Sequence, residues 1–240
     1  LDAIWINPSQ KDYARTLGYT VVDAATAIAT HLNTLLRTNA SELISHDETQ
    51  QLLDKVADRA PKLVEDLVPG KLPLSTITKT LQNILNEDIP LKDMRTILEV
   101  LSTISNSTQD PDELTAAVRP RLGRMIVQGL VDIERTLPVI TLDPSLEQML
   151  HNVLQQSAEN QGLVIEPSLA ESLFKSLGEH SNAIENDGNP AVLVVSPSIR
   201  PWLAKIIRHR VRDLTVLSYN EIPDDQPIKV VATVENQNTS

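Results

Sequence analysis

Apolar positions along this chain follow two rhythms, one helical and one extended. Residues 3–6 and 19–22 are short apolar runs that read as extended pieces, with a helix over 8–17 between them that Gly18 stops as a C-terminal cap. Asp23 is placed to cap a helix over 24–44, in which Ile28, Leu32, Leu35, Leu36 and Leu43 share one face. Residues 45–130 then read as helix throughout. Ser45 and Glu48 form a capping box ahead of Leu52, Leu53 and Val56. A short helix follows Pro61, a turn follows at Pro69, Gly70 and Pro73, and a helix over 75–86 buries Ile77, Leu81, Ile84 and Leu85. After Pro90 the stripe Leu91, Met94, Ile97, Leu98, Leu101, Ile104 predicts a helix over 91–104. Asp110, Pro111 and Glu113 open one more, which Pro120 is expected to kink or split because it lacks the N–H of that turn.

Beyond residue 130 the rhythm changes. Strands are expected over 137–142, 191–195, 214–217 and 228–234, and helices over 144–157, 167–177 and 198–210. The polar stretch 180–189, with Gly188 and Pro190, reads as a mobile loop, and 235–240 as a disordered tail. A strand, a helix and a second strand at this spacing make a βαβ unit with a parallel pair. The fold class is therefore helix-rich α+β: an all-helical middle followed by a small α/β unit.

Composition narrows the function. Aromatic residues are 2% of the 240, so the core rests on Leu, Ile, Val and Ala, and there is no cysteine to supply a disulfide, a thiolate or a Cys-based metal site. A net charge of −11 opposes broad binding to phosphates and suits basic partners or plain solubility. No apolar run approaches the ~20 residues that span a bilayer. The chain starts at Leu1, without a Met and inside an extended piece, which reads as a fragment of something longer.

Candidate chemistry is sparse. No two of the five histidines stand three or four apart, and no phosphate-binding, dinucleotide or nucleophile-elbow motif occurs. Ser196, between a strand and a helix, imitates an anion or nucleophile site, but Pro197 removes a backbone donor and Ser196 reads better as a helix cap. Adjacent carboxylates fall at helix ends and turns rather than in a cleft, so no enzyme, metal or cofactor is expected. Arg200, Lys205, Arg208, His209, Arg210 and Arg212 form a basic stretch that could contact an acidic partner, an anionic lipid or nucleic acid. The plainer reading is the solvated face of a helix whose Leu203, Ile206 and Ile207 turn inward. A helix-turn-helix around residues 88–90 is disfavoured, since Lys92 and Arg95 are balanced by Asp93 and Glu99.

Five stretches in order resemble the FlhA/SctV (FHIPEP) family of type III export gates. They are Gly18-Tyr19-Thr20-Val21-Val22-Asp23 running into Ala29-Thr30-His31-Leu32; residues 50–54 with 61–69; 81–85 through 89–99; Leu122-Gly123-Arg124; and Leu217-Ser218-Tyr219-Asn220-Glu221-Ile222. The last looks flagellar rather than injectisome-like. The resemblance implies a non-enzymatic docking platform at the cytoplasmic face of the bacterial inner membrane. It implies assembly into a nonameric ring that receives export chaperones with bound substrates, and contact with export ATPase components. It divides the chain into the end of an incomplete second, ferredoxin-like subdomain (1–22), a helix belonging to the first (23–43), a helical third (44–123), an α/β fourth (124–234) and the tail. Val22, Thr30 and Pro90 match positions of the family's apolar chaperone-binding dimple. Other partners in that dimple belong ahead of Leu1, so the chain alone should bind chaperone poorly. The sequence departs from the family at Ala24, where proline is usual, at Pro120, and over 180–189. The connection over 127–134 is expected to act as a hinge for the fourth subdomain. The rival reading is a helical regulatory module that binds nucleic acid through Arg200–Arg212.

Overall fold

The computed structural model describes residues 4–132, 134–160, 166–211 and 213–235, apart from the side chains of 156–160. Its order is a 3₁₀ turn (Pro8–Gln10), α1 (Lys11–Thr16), α2 (Ala24–Thr38), a 3₁₀ turn (Ala40–Leu43), α3 (His46–Ala57), α4 (Pro61–Leu67), α5 (Leu74–Asn86), α6 (Met94–Ile104) and α7 (Pro111–Leu130). There follow β1 (Leu137–Leu142), α8 (Pro144–Asn160), α9 (Pro167–Asn186), β2 (Val192–Val195), α10 (Arg200–Ile207), β3 (Thr215–Ser218), a 3₁₀ turn (Tyr219–Glu221) and β4 (Ile228–Val234). The helix-rich α+β class and the helical middle are as the pattern predicts.

Local chemistry sets most boundaries. Asp23 Oδ1 accepts from the Thr26 N–H at 2.7 Å and starts α2. Ser45 and Glu48 form the reciprocal box at α3. Asp110 accepts from the N–H groups of Asp112 and Glu113 and starts α7. Gly18, at φ 87°, ends the first helical stretch.

Several expectations are corrected. Residues 4–6 and 19–22 join no strand, because a strand needs a hydrogen-bonding neighbour and none of the described residues supplies one. The helix over 24–44 stops at Thr38, and Asn39 leads into the 3₁₀ turn. Asp93 caps α6 through Thr96, so that helix begins at Met94 rather than residue 91, although Leu91 still packs on the core. Pro120 does not split α7: Leu114, Val118, Leu122 and Ile126 are buried on both sides of it and hold one helix together. That helix crosses the expected subdomain boundary at 123/124 and includes residues 127–130 of the expected hinge. The polar stretch 180–189 is no loop until residue 187. Leu173, Leu177, Ser181 and Ile184 continue the buried face of α9, and its polar residues are only the wet side of the same helix. The basic helix is shorter than expected, Arg200–Ile207. Of the expected tail, 236–240 lie outside the described residues.

The four strands form one parallel sheet in the order β3-β2-β1-β4. Alternate residues of β1 and β2 face opposite layers. Leu137, Val139, Val192, Val194 and Leu217 join the core of α3–α7, while Ile140, Leu142, Leu193, Val195 and Val216 join the core under α8–α10. Burial on both faces explains the unbroken apolar run Val192–Val195. One face of the sheet thus belongs to the helical unit, and the seam between the units is a packed core.

Candidate functional site

Four charged side chains from four elements meet at that seam. Arg119 on α7, Arg200 at the start of α10 and Glu221 in the 3₁₀ turn after β3 are each no more than 3% exposed. Glu87, which caps the end of α5, is the fourth. Arg119 donates through Nη2 to Glu221 Oε2 at 2.6 Å and through Nη1 to Glu87 Oε2 at 3.0 Å. Arg200 donates through Nη1 and Nη2 to the two oxygens of Glu87. The Ser218 hydroxyl lies 2.6 Å from the other Glu221 oxygen. Two positive and two negative charges cancel, and among the described residues no buried side-chain polar atom lacks a partner. Burial pushes the Glu87 carboxyl up, but the hydrogen bond from Arg200 and the charges of Arg119 and Arg200 outweigh it and hold its pKa below the usual carboxylate value. For Arg200, burial pulls down while Glu87 and Glu221 pull up, and the balance is a firmer guanidinium charge.

Beside this cluster α7 and the 3₁₀ turn come into backbone contact. A Cβ placed on Gly123 would lie 2.1 Å from the Glu221 carbonyl oxygen, so only glycine allows the approach. One helical step on, Arg124 donates to both oxygens of Asp225 at 3.0 Å on the surface. The stretches Leu122-Gly123-Arg124 and Leu217–Ile222, about a hundred residues apart, therefore dock on one another.

The predicted basic face is not one face. Arg200 is buried and paired with Glu87, which corrects its reading as a solvated residue and removes it from any external contact. Lys205 is paired with Asp112 across to α7 at 2.6 Å. The Arg210 guanidinium sits 5.9 Å from the centre of the Phe174 ring. Arg208 stays on the surface near Asn86. Arg212 lies outside the described residues. Leu203 and Ile207 turn inward as expected. This dispersal, with Asp112 and Glu87 interleaved, disfavours the nucleic-acid reading. Ser196 is not the cap of α10, whose capping position is Ile199; instead its N–H donates to Glu147 Oε1.

The three dimple candidates are all exposed. Val22 lies in the extended segment ahead of α2, Thr30 in the middle of α2, and Pro90 in the turn between α5 and α6. Asp88, in left-handed backbone at φ 57° in that same turn, has its carboxyl pushed up by burial, in part offset by the charges of Arg208 and of Arg37 in the last turn of α2. The end of α2 thus lies near the Pro90 turn, and Thr30 is seven residues, roughly 10 Å of helix, further up. Around these residues the surface is unusually apolar: Tyr19, Val22, Ile28, Leu32, Leu35 and Leu36 are each 46–67% exposed.

The sequence profile described as the FHIPEP family matches residues 1–227. The chain belongs to the FHIPEP family. A flagellar biosynthesis protein FlhA from Escherichia coli (strain K12) is 45% identical over 234 residues, which cover 98% of this chain and 33% of that protein. The chain spans about a third of the length of the curated relatives it matches. Among solved structures, the Chlamydia pneumoniae CdsV protein aligns with a TM-score of 0.84 at 25% identity, over 98% of this chain and 67% of that one. The nonameric EPEC SctV-C structure aligns at 0.80 and 28% identity, over 95% and 69%. The FHIPEP fold here therefore includes the seam between helical and α/β units. Arg119 carries no sequence signal, and Glu87, which reads as a solvated carboxylate at a helix end, is instead largely buried and paired with both arginines. Gly123 in a helix interior was the one visible signal that something approaches closely there.

Proposed function

We propose that this chain is the docking part of a flagellar type III protein-export gate, at the cytoplasmic face of the bacterial inner membrane. It captures chaperone–substrate complexes and transforms none of them. The observation that carries this reading is the exposure of Val22, Thr30 and Pro90 in a chain whose residues 1–227 match the FHIPEP family. Val22, Thr30 and Pro90 supply part of the chaperone site, burying apolar surface of the chaperone while polar neighbours set specificity. The stripe Ile28, Leu32, Leu35 and Leu36 packs on the region of these proteins that the chain does not span, since relatives are about three times as long. Copies assemble into a ring like the SctV-C nonamer, where repeated weak sites gain avidity. Components of the export ATPase are the remaining partners. Among the described residues no helix is long and apolar enough to cross a membrane.

The test is a chimera in which this chain replaces the matching third of the Escherichia coli relative. Flagellar protein secretion and calorimetric titration with an export chaperone–substrate complex are then compared with Val22→Asp, Thr30→Arg and Pro90→Asp variants. The reading expects weaker chaperone binding and reduced secretion in all three. Unchanged binding and secretion in the three variants would remove these residues from the site.

A further inference from the structure

A cleft of about 280 Å³ opens between α5 and α7 on one side and α10 on the other. Asn83, Asn86 and Asp112 line one wall, and Lys205, Arg208 and His209 the other. The floor is the Glu87–Arg200 pair, which is neutral and already saturated, because Glu87 also accepts from Arg119. The rim is different. Lys205 reaches Asp112 at 2.6 Å, but both side chains are more than half exposed. Such a bridge is worth little and exchanges readily for another carboxylate. The Arg208 hydrogen bond to Asn86 Oδ1 is long, 3.4 Å, and a guanidinium carries further donors in its planar fork. Asn83 and Asn86, three apart on α5, lie on one side of the helix a turn apart. Asn83 already donates to Asp112 at 2.9 Å, and its carbonyl remains an acceptor for a main-chain N–H.

We propose that this cleft binds a short acidic peptide segment, whose carboxylates pair with Lys205 and Arg208 while Asn83 and Asn86 hold its main chain. Charge complementarity selects the occupant: in a chain of net charge −11, Lys205 and Arg208 both line this cleft, and Lys205 meets there only an exposed, exchangeable carboxylate. Size selects it too. The volume lies at the small end of ligand sites, which suits one or two side chains rather than a folded surface. A nucleic-acid strand fits poorly, since its repeating phosphates extend beyond the two rim cations into a chain of net charge −11. Because one wall is helical unit and the other α/β unit, an occupied cleft also clamps the two together. None of this depends on the chaperone dimple.

The experiment titrates the full chain into a fluorescein-labelled peptide, Ala-Asp-Glu-Ala-Asp-Glu-Ala, and follows anisotropy at about 50 and 200 mM salt. Its Asn/Gln counterpart and a twelve-thymidine single strand serve as comparison probes. The expected result is saturable binding of the acidic peptide that weakens about tenfold in Lys205→Ala/Arg208→Ala and is unchanged in Lys92→Ala/Arg95→Ala. The amide counterpart should bind at least about tenfold more weakly. Three results overturn the proposal: no binding of the acidic peptide up to about 1 mM, equal weakening by both double substitutions, or tighter binding of the thymidine strand through Lys205 and Arg208. Both double variants change exposed side chains, and their circular dichroism spectra check that folding is intact.

Discussion

Alanine at Gly123 reverses the usual sign of a glycine substitution. In a helix interior, glycine to alanine ordinarily gains ~0.5–1 kcal/mol, because alanine gives up less backbone entropy. At Gly123 the added carbon would stand 2.1 Å from the Glu221 carbonyl oxygen, 2.9 Å from its carbonyl carbon and 3.3 Å from its Cα. These are backbone atoms, so no side chain can swing aside. Restoring an ordinary C···O separation of ~3.3–3.6 Å requires a displacement of over 1 Å, roughly. That displacement carries the Glu221 carboxyl away from Arg119, which now holds it at 2.6 Å. Overpacking costs ~1–3 kcal/mol and a weakened charge-assisted bond ~1.5–3, against the ~0.5–1 gained. The net expectation is a loss of ~2–4 kcal/mol, or ~5–15 °C in Tm for a chain of this size. Urea unfolding followed by far-ultraviolet circular dichroism measures it. Gly178→Ala in α9, where a Cβ meets nothing within 4 Å, is the matched control and should be neutral or gain up to ~1 kcal/mol. A Gly123→Ala protein as stable as the original refutes the backbone contact.

Arg119→Met should cost ~3–5 kcal/mol, because it strands the buried Glu221 carboxylate, and urea titration at pH 7 gives the number. Lys205→Ala, which breaks an exposed pair, should change the same measurement by less than ~0.5 kcal/mol. Glu87, whose folded pKa is depressed, stabilises the fold above its unfolded value of about 4.3, and that contribution is lost as pH falls through the lower folded value. Glu87→Gln should therefore lose less stability than the original between pH 7 and about pH 3, as read from urea midpoints, and parallel curves would contradict the assignment. Leu32→Glu with Leu36→Glu should leave the stability of this chain within about 0.5 kcal/mol, since both side chains are already wet; a large loss would mean that α2 is packed after all.

Elements with strong local signals were legible from the pattern. β1 falls on the predicted residues, and the capping residues Asp23, Ser45 and Asp110 start α2, α3 and α7 where the sequence places them. At 180–186 and at Pro120 the continuing helical period outweighs local composition. Residues 180–186 are polar, yet Ser181 and Ile184 keep the buried face of α9 in register. Pro120 forfeits one hydrogen bond, but four buried aliphatic residues at a spacing of four outweigh that loss. The seam chemistry was illegible for another reason. Arg119 and Glu221 are 102 residues apart, and nothing in either neighbourhood says that the other is its counter-ion. Arg200 lies in a basic stretch that reads as surface, yet it is the most buried of that group among the described residues.

The sheet topology supplies the reason these residues meet. From β1 through β2 to β3 the chain moves one way across the sheet, and α8–α10 cover one face. To reach β4, on the far side of β1, the chain must return past two strands. A right-handed parallel connection running that way crosses the opposite face. That face is the one occupied by the helical unit, so the turn Tyr219–Glu221 has to pass between the sheet and α7. A turn carries backbone polar groups that helices and strands would otherwise satisfy, and burying it demands partners. Glycine at 123 lets the turn approach, the Val216 carbonyl and the Glu221 carboxyl receive Arg119, and Glu87 returns the charge to zero with Arg200. The short motifs that mark this family at its fourth and fifth stretches are thus two sides of one joint. Their residue types follow from the geometry of a parallel sheet that must be closed from its outer edge.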